Sequence, residues 1–220
     1  MELNLKRETI ALLLRANELK DQRVTPGNIR KFIKYLQKNI QSALELYNMV
    51  LSEIGESPYL LHAIASCHFR LGSLPPKYQG FQEAISVMKR AIALAPNDGE
   101  MHAVLAEYYE LGTNEYEDAA NECRKAIELC PYDAWVLNKA ANLYGYPDHP
   151  VSLEESIGWL ERLIVLEPNE PRHHAFLAEQ YYTAGRFTDA EREAIRALLC
   201  PRPLEGGWVK RIKQILGSNT

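Results

Sequence analysis

The sequence predicts an all-α fold, a solenoid of helix-turn-helix repeats, and three observations carry that prediction. First, four segments end alike, IALAPND at Pro96, IELCPYD at Pro131, IVLEPNE at Pro168 and ALLCPRP at Pro201, spaced by 35, 37 and 33 residues. A near-constant period of this size marks supersecondary units that bury their apolar faces by stacking. Second, an amphipathic stretch precedes each proline: FQEAISVMKRAIALA, YEDAANECRKAIELC, LEESIGWLERLIVLE and FTDAEREAIRALLC. Small or apolar residues fall there at i, i+3/i+4 and i+7, the helical period. Third, the 220 residues are 46% hydrophobic and 25% charged, with 12 Gly and 12 Pro. That ordinary globular usage excludes collagen-like, low-complexity and wholly disordered chains.

From the N-terminus, a first helix is expected around Glu8 to Lys20. Thr25-Pro26 has the form of an N-cap followed by proline in the first turn, opening a long helix through about Ile54. Ile29, Ile33, Leu36, Ile40, Leu44, Tyr47, Val50 and Ile54 keep one apolar stripe along it, so it packs as half a repeat under the cover of the earlier helix. Residues 1–57 thus form an N-terminal extension. Four repeats follow, at 58–96, 97–131, 132–168 and 169–201. Their first helices read YLLHAIASCHFRLG, EMHAVLAEYYELG, AWVLNKAANLYG and RHHAFLAEQYYTAG, with Gly72, Gly112 and Gly185 as C-terminal cap candidates. Repeats one and three carry insertions between their paired helices, LGSLPPKYQGF and YGYPDHPVS. Pro75 with Pro76, and Pro147 with Pro150, stop the first helices and stiffen these turns. Tyr78, Tyr146, Asp148 and His149 make the two loops a candidate accessory contact surface. Gly206-Gly207 then interrupts the chain before WVKRIKQIL. Trp208, Val209, Ile212, Ile215 and Leu216 can cap the last repeat there, with Lys210, Arg211 and Lys213 toward solvent, so residues 202–220 form a capping helix.

Small residues stand where paired helices must cross closely: Ala65 with Ala84, Ala106 with Ala119, Ala141 with Ser156, and Ala178 with Ala190. With the preceding large residues and the closing prolines, these positions resemble the tetratricopeptide repeat, whose W-x2-L-G-x2-Y, A-x3-F and final P pattern has the same period. The resemblance covers about residues 58 to 201 and is degenerate in each unit but repeated four times. It implies a right-handed superhelix whose concave face, formed chiefly by the first helix of each repeat, binds segments of other proteins. Carrying the register over puts Tyr59, His62, Ser66 and Arg70 of repeat one toward that groove, and Glu100, Ala103, Glu107 and Glu110 of repeat two. Trp135, Asn138, Asn142 and Tyr146 follow from repeat three, and Arg172, Ala175, Glu179 and Tyr182 from repeat four. A groove so mixed suits a peptide or helix of a partner protein better than a small metabolite. Asn138 and Asn142, four apart on one helix face, offer donors and acceptors to a peptide backbone. Glu100, Glu107, Glu110 and Glu179 would add a negative stretch favouring Lys or Arg on the ligand. Some family members grip a C-terminal carboxylate with a Lys/Asn set. This chain has His62, Ser66, Ala103 and Glu107 where that set would open, so such a clamp is not expected.

Catalysis has no handle in the sequence. No GxGxxG, GxxxxGK[ST] or GxSxG occurs, and the six histidines include no HExxH and no pair four apart. A non-enzymatic scaffold or adaptor with no cofactor and no metal is expected. His68 occupies a packing position and reads as core. Cys130 and Cys200 each precede a repeat-ending proline, where a small side chain suffices. The four cysteines form no CxxC pair, which points to reduced thiols in the cytoplasm. No apolar run approaches the roughly 18 to 20 residues of a membrane span, and MELNLKRETIALLLRANELK carries charge through its apolar stretch, unlike a secretory leader.

Charge is polarised along the chain. Residues 1–40 hold 9 Lys/Arg against 4 Asp/Glu, residues 41–201 hold 12 against 24, and residues 202–220 hold 4 against 1. Two further readings follow. One is a nucleic-acid-associated protein using Arg30, Lys31, Lys34 and Lys38 with Tyr35 on the long helix, which the acidic body disfavours because phosphate tracking needs many basic contacts. The other is a scaffold that self-assembles into a homo-oligomer through exposed Trp208 or the first helix.

Overall fold

A computed structural model describes residues 7–21, 29–75 and 80–217. Among them the elements are all helical: α1 (Arg7–Asp21), α2 (Ile29–Ile54), α3 (Pro58–Gly72), α4 (Gly80–Leu94), α5 (Gly99–Tyr108), α6 (Tyr116–Leu129), α7 (Ala134–Asn142), α8 (Leu153–Leu166), α9 (Pro171–Thr183), α10 (Phe187–Leu199) and α11 (Gly206–Gly217). A π-helical turn, Tyr109–Thr113, continues α5, and a 3-10 turn, Leu143–Gly145, continues α7. The Thr25-Pro26 start and, in the first insertion, Pro76 and Tyr78 lie outside the described residues. The chain divides into two units, residues 1–115 and 116–220. The division falls inside the 97–131 segment that the sequence assigns to one repeat, between α5 and α6.

The period has a local cause. Each repeat-ending proline disfavours helix at the residue before it, and two residues after Pro96, Pro131 and Pro168 a polar residue, Asp98, Asp133 or Glu170, precedes the next helix. Asp98 accepts a hydrogen bond from the Met101 amide at 3.1 Å, and Asp133 accepts one from the Val136 amide at 3.0 Å. Each such cap satisfies one of the amides that a helix start leaves bare. Ser57, with Pro58 in the first turn, does the same for α3.

In the first unit the stripe of α2 is buried. Ile40, Ala43, Leu44, Tyr47 and Val50 share one core with Ala16 of α1 and with Leu60, Ile64, Cys67 and Leu71 of α3. The Tyr47 hydroxyl, the polar end of that stripe, donates to Asn17 Oδ1 at 2.6 Å. Two of the expected cap glycines have another role. Gly72 and Gly112 keep negative φ, and at each an added Cβ would stand 2.9 Å from the Phe81 ring. They are glycine so that Phe81 can lie against the backbone. Phe69 then meets Phe81 edge-on at 5.3 Å and stacks on Tyr108 at 4.4 Å. The left-handed residue that closes this helix is Asn114, with φ 59°. His68 Nδ1 is buried without a hydrogen bond among the described residues, and burial holds that imidazole below its ordinary pKa.

In the second unit the predicted crossing of Ala141 and Ser156 is direct: both are fully buried, and Ser156 Oγ donates to the Ala141 carbonyl at 3.1 Å. Ala178 and Ala190 are likewise buried. Gly185, with φ 73°, is the left-handed residue that follows α9. Ile212 and Ile215 of α11 are buried where that helix packs on α9 and α10. The ion pairs repeat with the fold. Arg124 with Glu155, Arg202 with Glu170, Arg211 with Glu179 and Arg172 with Glu205 are 31 to 33 residues apart, so each joins successive helix pairs. Arg90 with Glu56, 34 apart, is the counterpart in the first unit.

Candidate peptide-binding site

In the second unit, α7, α9 and α11 surround a cavity of about 680 Å³. Asn138 and Asn142 come to it from α7, Arg172, His173 and Phe176 from α9, and Trp208 from α11. The caps explain the placement. Asp133 starts α7 so that Asn138 and Asn142, one turn apart, project together, and Pro171 in the first turn of α9 sets Arg172 and Phe176 one turn apart. Asn142 Nδ2 donates to Asn138 Oδ1 at 3.4 Å. Phe176 and Trp208 approach at 6.0 Å between ring centroids.

Arginine–carboxylate pairs line the mouth. Arg172 bonds Glu205, Arg202 Nη1 donates to Glu170 Oε2 at 3.0 Å, and His173 Nε2 lies 2.7 Å from Glu167 Oε2. Glu179, in the groove register, accepts from Arg211 at 2.8 Å. Tyr182 meets Phe187 edge-on at 5.4 Å and carries Arg211 over its face. Trp135 is 42% exposed with Lys139 above its ring.

The first unit has a smaller recess of about 440 Å³ between α1, α2 and α3. Tyr59, His62 and Ser66 line it, together with Leu13, Asn17 and Ala63. Ser66 Oγ and Tyr108 Oη are 3.2 Å apart, and burial raises the Tyr108 phenol well above its ordinary pKa. Arg70, Glu100 and Glu107 line neither cavity. Glu110 is only 7% exposed, so it presents no open carboxylate. On α2, Lys34, Lys38 and Tyr35 are exposed, and the Arg30 and Lys31 side chains lie outside the described residues.

The insertion at 146–152 is built rather than loose. Tyr146 stacks on Tyr116 at 4.4 Å and His149 on Tyr144 at 4.5 Å, and His149 Nδ1 lies 2.7 Å from the Tyr144 carbonyl. Asp148 and His149 both have positive φ. The Arg124 guanidinium donates to the Pro150 carbonyl and to Glu155, whose pKa this bond, ahead of the Ser152 cap, holds down to about 2.

The repeat register carried to Pro201 does not reach Glu205 and Trp208, although its period does. Glu205 is 33 residues after Arg172, and Trp208 is 33 after Ala175. Among the described residues no group of three or more His, Cys, Asp or Glu stands where it could hold a metal ion. No helix there is long and apolar enough to cross a membrane, and all four cysteines are thiols.

A family model described as tetratricopeptide repeat matches residues 79–134. No curated protein matches the chain. Among solved structures, a crystal structure of MamA protein aligns at a TM-score of 0.64 and 17% identity, covering 86% of this chain and 90% of that one. MamA 41-end from Desulfovibrio magneticus RS-1 aligns at 0.56 and 17%, covering 88% and 98%. TTC0263, a thermophilic TPR protein of Thermus thermophilus, aligns at 0.51 and 21%, covering 94% and 98%. At these identities the likeness concerns the fold, an all-α solenoid of helix-turn-helix repeats.

Proposed function

We propose that this chain, which belongs to the tetratricopeptide-repeat family, is a non-catalytic scaffold or adaptor that holds a peptide or helix of a partner protein. The observation that carries the reading is the cavity in which Asn138 and Asn142 of one repeat face Arg172 and Phe176 of the next and Trp208 of the last helix. Side-chain amides supply both donor and acceptor to a peptide unit, and the aromatic faces supply the apolar contact that anchors an interface. The groups are held in advance by caps and inter-repeat ion pairs, so binding orders little that is not already ordered. Tyr59, His62 and Ser66 in the first unit, with Arg70, Glu100 and Glu107 beside them in the register, belong to the same reading as a second contact region. The four thiols fit a reducing compartment, which we take to be the cytoplasm.

The test is capture from the native lysate on immobilised wild type and on the Asn138→Ala/Asn142→Ala variant, at two salt concentrations. A protein retained by wild type at both salts and released by the variant is the expected result. Retention that ignores the variant would sink the cavity assignment. Recovery of nucleic acid alone, with a steep loss at higher salt, would move the function to the basic α2 stripe.

A further inference from the structure

The basic side chains that line the second-unit cavity already have carboxylate partners. His173 has Glu167, Arg202 has Glu170 and Arg172 has Glu205. The Arg172 and Glu205 side chains are 56% and 65% exposed. A ligand carboxylate drawn to Arg172 therefore displaces an equal carboxylate, and replacing one screened pair by another gains close to nothing. A ligand ammonium drawn to Glu170 or Glu205 faces the same balance. Glu179 offers no opening for it either, being bonded to Arg211 at 2.8 Å.

What a ligand can gain from is apolar and neutral. Phe176 and Trp208 are half-buried, so each ring keeps a face to be covered. Their planes are inclined at 58° with centroids 6.0 Å apart, a wedge rather than a closed stack. Beside them the long 3.4 Å bond between Asn142 and Asn138 uses one donor and one acceptor and leaves the other amide positions for a backbone.

We infer that this cavity selects an uncharged segment of the partner. One aromatic or long aliphatic side chain seats against Phe176 and Trp208 while Asn138 and Asn142 hold the neighbouring backbone. The inference rests on the peptide-binding reading and narrows it: a basic ligand, which the groove glutamates suggest from sequence, is not the preferred one here. It also makes α11 a wall of the site, since that helix supplies Trp208 and its N-terminal flank supplies Glu205.

The experiment is an NMR titration of the full chain with the capped pentapeptides acetyl-Gly-Ser-X-Ser-Gly-amide, where X is Trp, Leu, Lys or Glu. The readouts are the Trp208 indole N–H and the Asn138 and Asn142 side-chain amides. The Trp and Leu peptides should shift these signals with an affinity at least about tenfold above the Lys and Glu peptides, the scale of one good aromatic contact. Binding of the Lys or Glu peptide as tightly as the Trp peptide overturns the inference and leaves the peptide-binding reading standing. If no peptide shifts any of the three residues, the peptide-binding reading falls and the inference with it.

Discussion

Glu193 is 1% exposed, yet it is a carboxylate holding three cations. His174 Nδ1 lies 2.8 Å from it, Arg196 2.8 Å and Arg192 3.3 Å, while His174 Nε2 lies 3.0 Å from the Pro168 carbonyl. Acceptors face both ring nitrogens and favour the protonated form of His174, and the bond to Glu193 raises its pKa from the ordinary 6.5. Burial pushes the Glu193 carboxyl up, but the bonds from His174 and Arg192 outweigh it and leave the value below 4.5. The sign follows for each group. The raised His174 contributes stability that is complete below pH 6.5 and is lost as pH rises through its folded value. The lowered Glu193 contributes stability present above pH 4.5 and lost as pH falls through its own. The pair is therefore strongest between about pH 4.5 and 6.5. Glu193→Gln should cost about 2 kcal/mol at pH 6, the scale of hydrogen bonds to a buried charge, and measurably less at pH 9. Urea unfolding at the two pH values checks this, and an equal cost at both would remove His174 from the account. None of this is legible in the sequence, because His174 and Glu193 are 19 residues apart and only the α9–α10 crossing brings them together. Gly112 is a second case. Its position at the end of a periodic stretch has the form of a cap, but the ring of Phe81 is what excludes a Cβ. Gly112→Ala should lower stability by about 1 to 3 kcal/mol through overpacking, and a melting temperature equal to wild type would refute that contact.

At the scale of elements, the periodic proline, the helix before it and the small residues at the crossings are all present in the one-dimensional pattern, and α3 to α10 follow that pattern. The π-helical turn at Tyr109–Thr113 is not, since an extra residue within a turn leaves no mark on hydrophobic spacing. The start of α8 shows how a loop insertion is tolerated. Ser152 and Glu155 close a capping box, and Arg124 of α6 binds Glu155 as well. Glu155→Gln, whose amide oxygen can still accept from the Ser152 amide, should destabilise by about 0.5 to 1 kcal/mol at pH 7 through loss of the charge that pairs with Arg124 and faces the helix N-terminus. Because the Glu155 pKa is depressed, its contribution is present above pH 4.5 and is lost as pH falls toward about 2. The difference between wild type and variant should therefore shrink across that window in denaturant titrations. Ser156→Leu, at a fully buried crossing whose hydroxyl bonds the Ala141 carbonyl, should cost about 1 to 3 kcal/mol by forcing α7 and α8 apart. A far-UV melt unchanged by that substitution would show that the two helices cross elsewhere.

For the whole molecule, the decisive element is the last one. Repeat arrays are stabilised by nearest-neighbour interfaces, so a terminal unit is stable only if a cap covers its open face. The sequence expects α11 to cover the last repeat through Ile212 and Ile215, and both side chains are buried. Its share in the cavity is not legible there, because the repeat register read from the sequence stops at Pro201. Truncation after Pro201 would uncover the partners of Ile212 and Ile215 and leave Glu179 without Arg211 and Arg172 without Glu205. Burying two isoleucines is worth about 3 to 6 kcal/mol as an upper figure, while the two surface bridges add little. The truncated chain should thus unfold at a lower denaturant concentration, with the loss concentrated in the second unit. Hydrogen exchange resolves where it goes: α9 and α10 should lose protection first, and the α2–α3 core, where Tyr47 and Ile64 are buried, should keep it. Uniform loss through both units would mean that stability in this chain propagates end to end instead of from neighbour to neighbour.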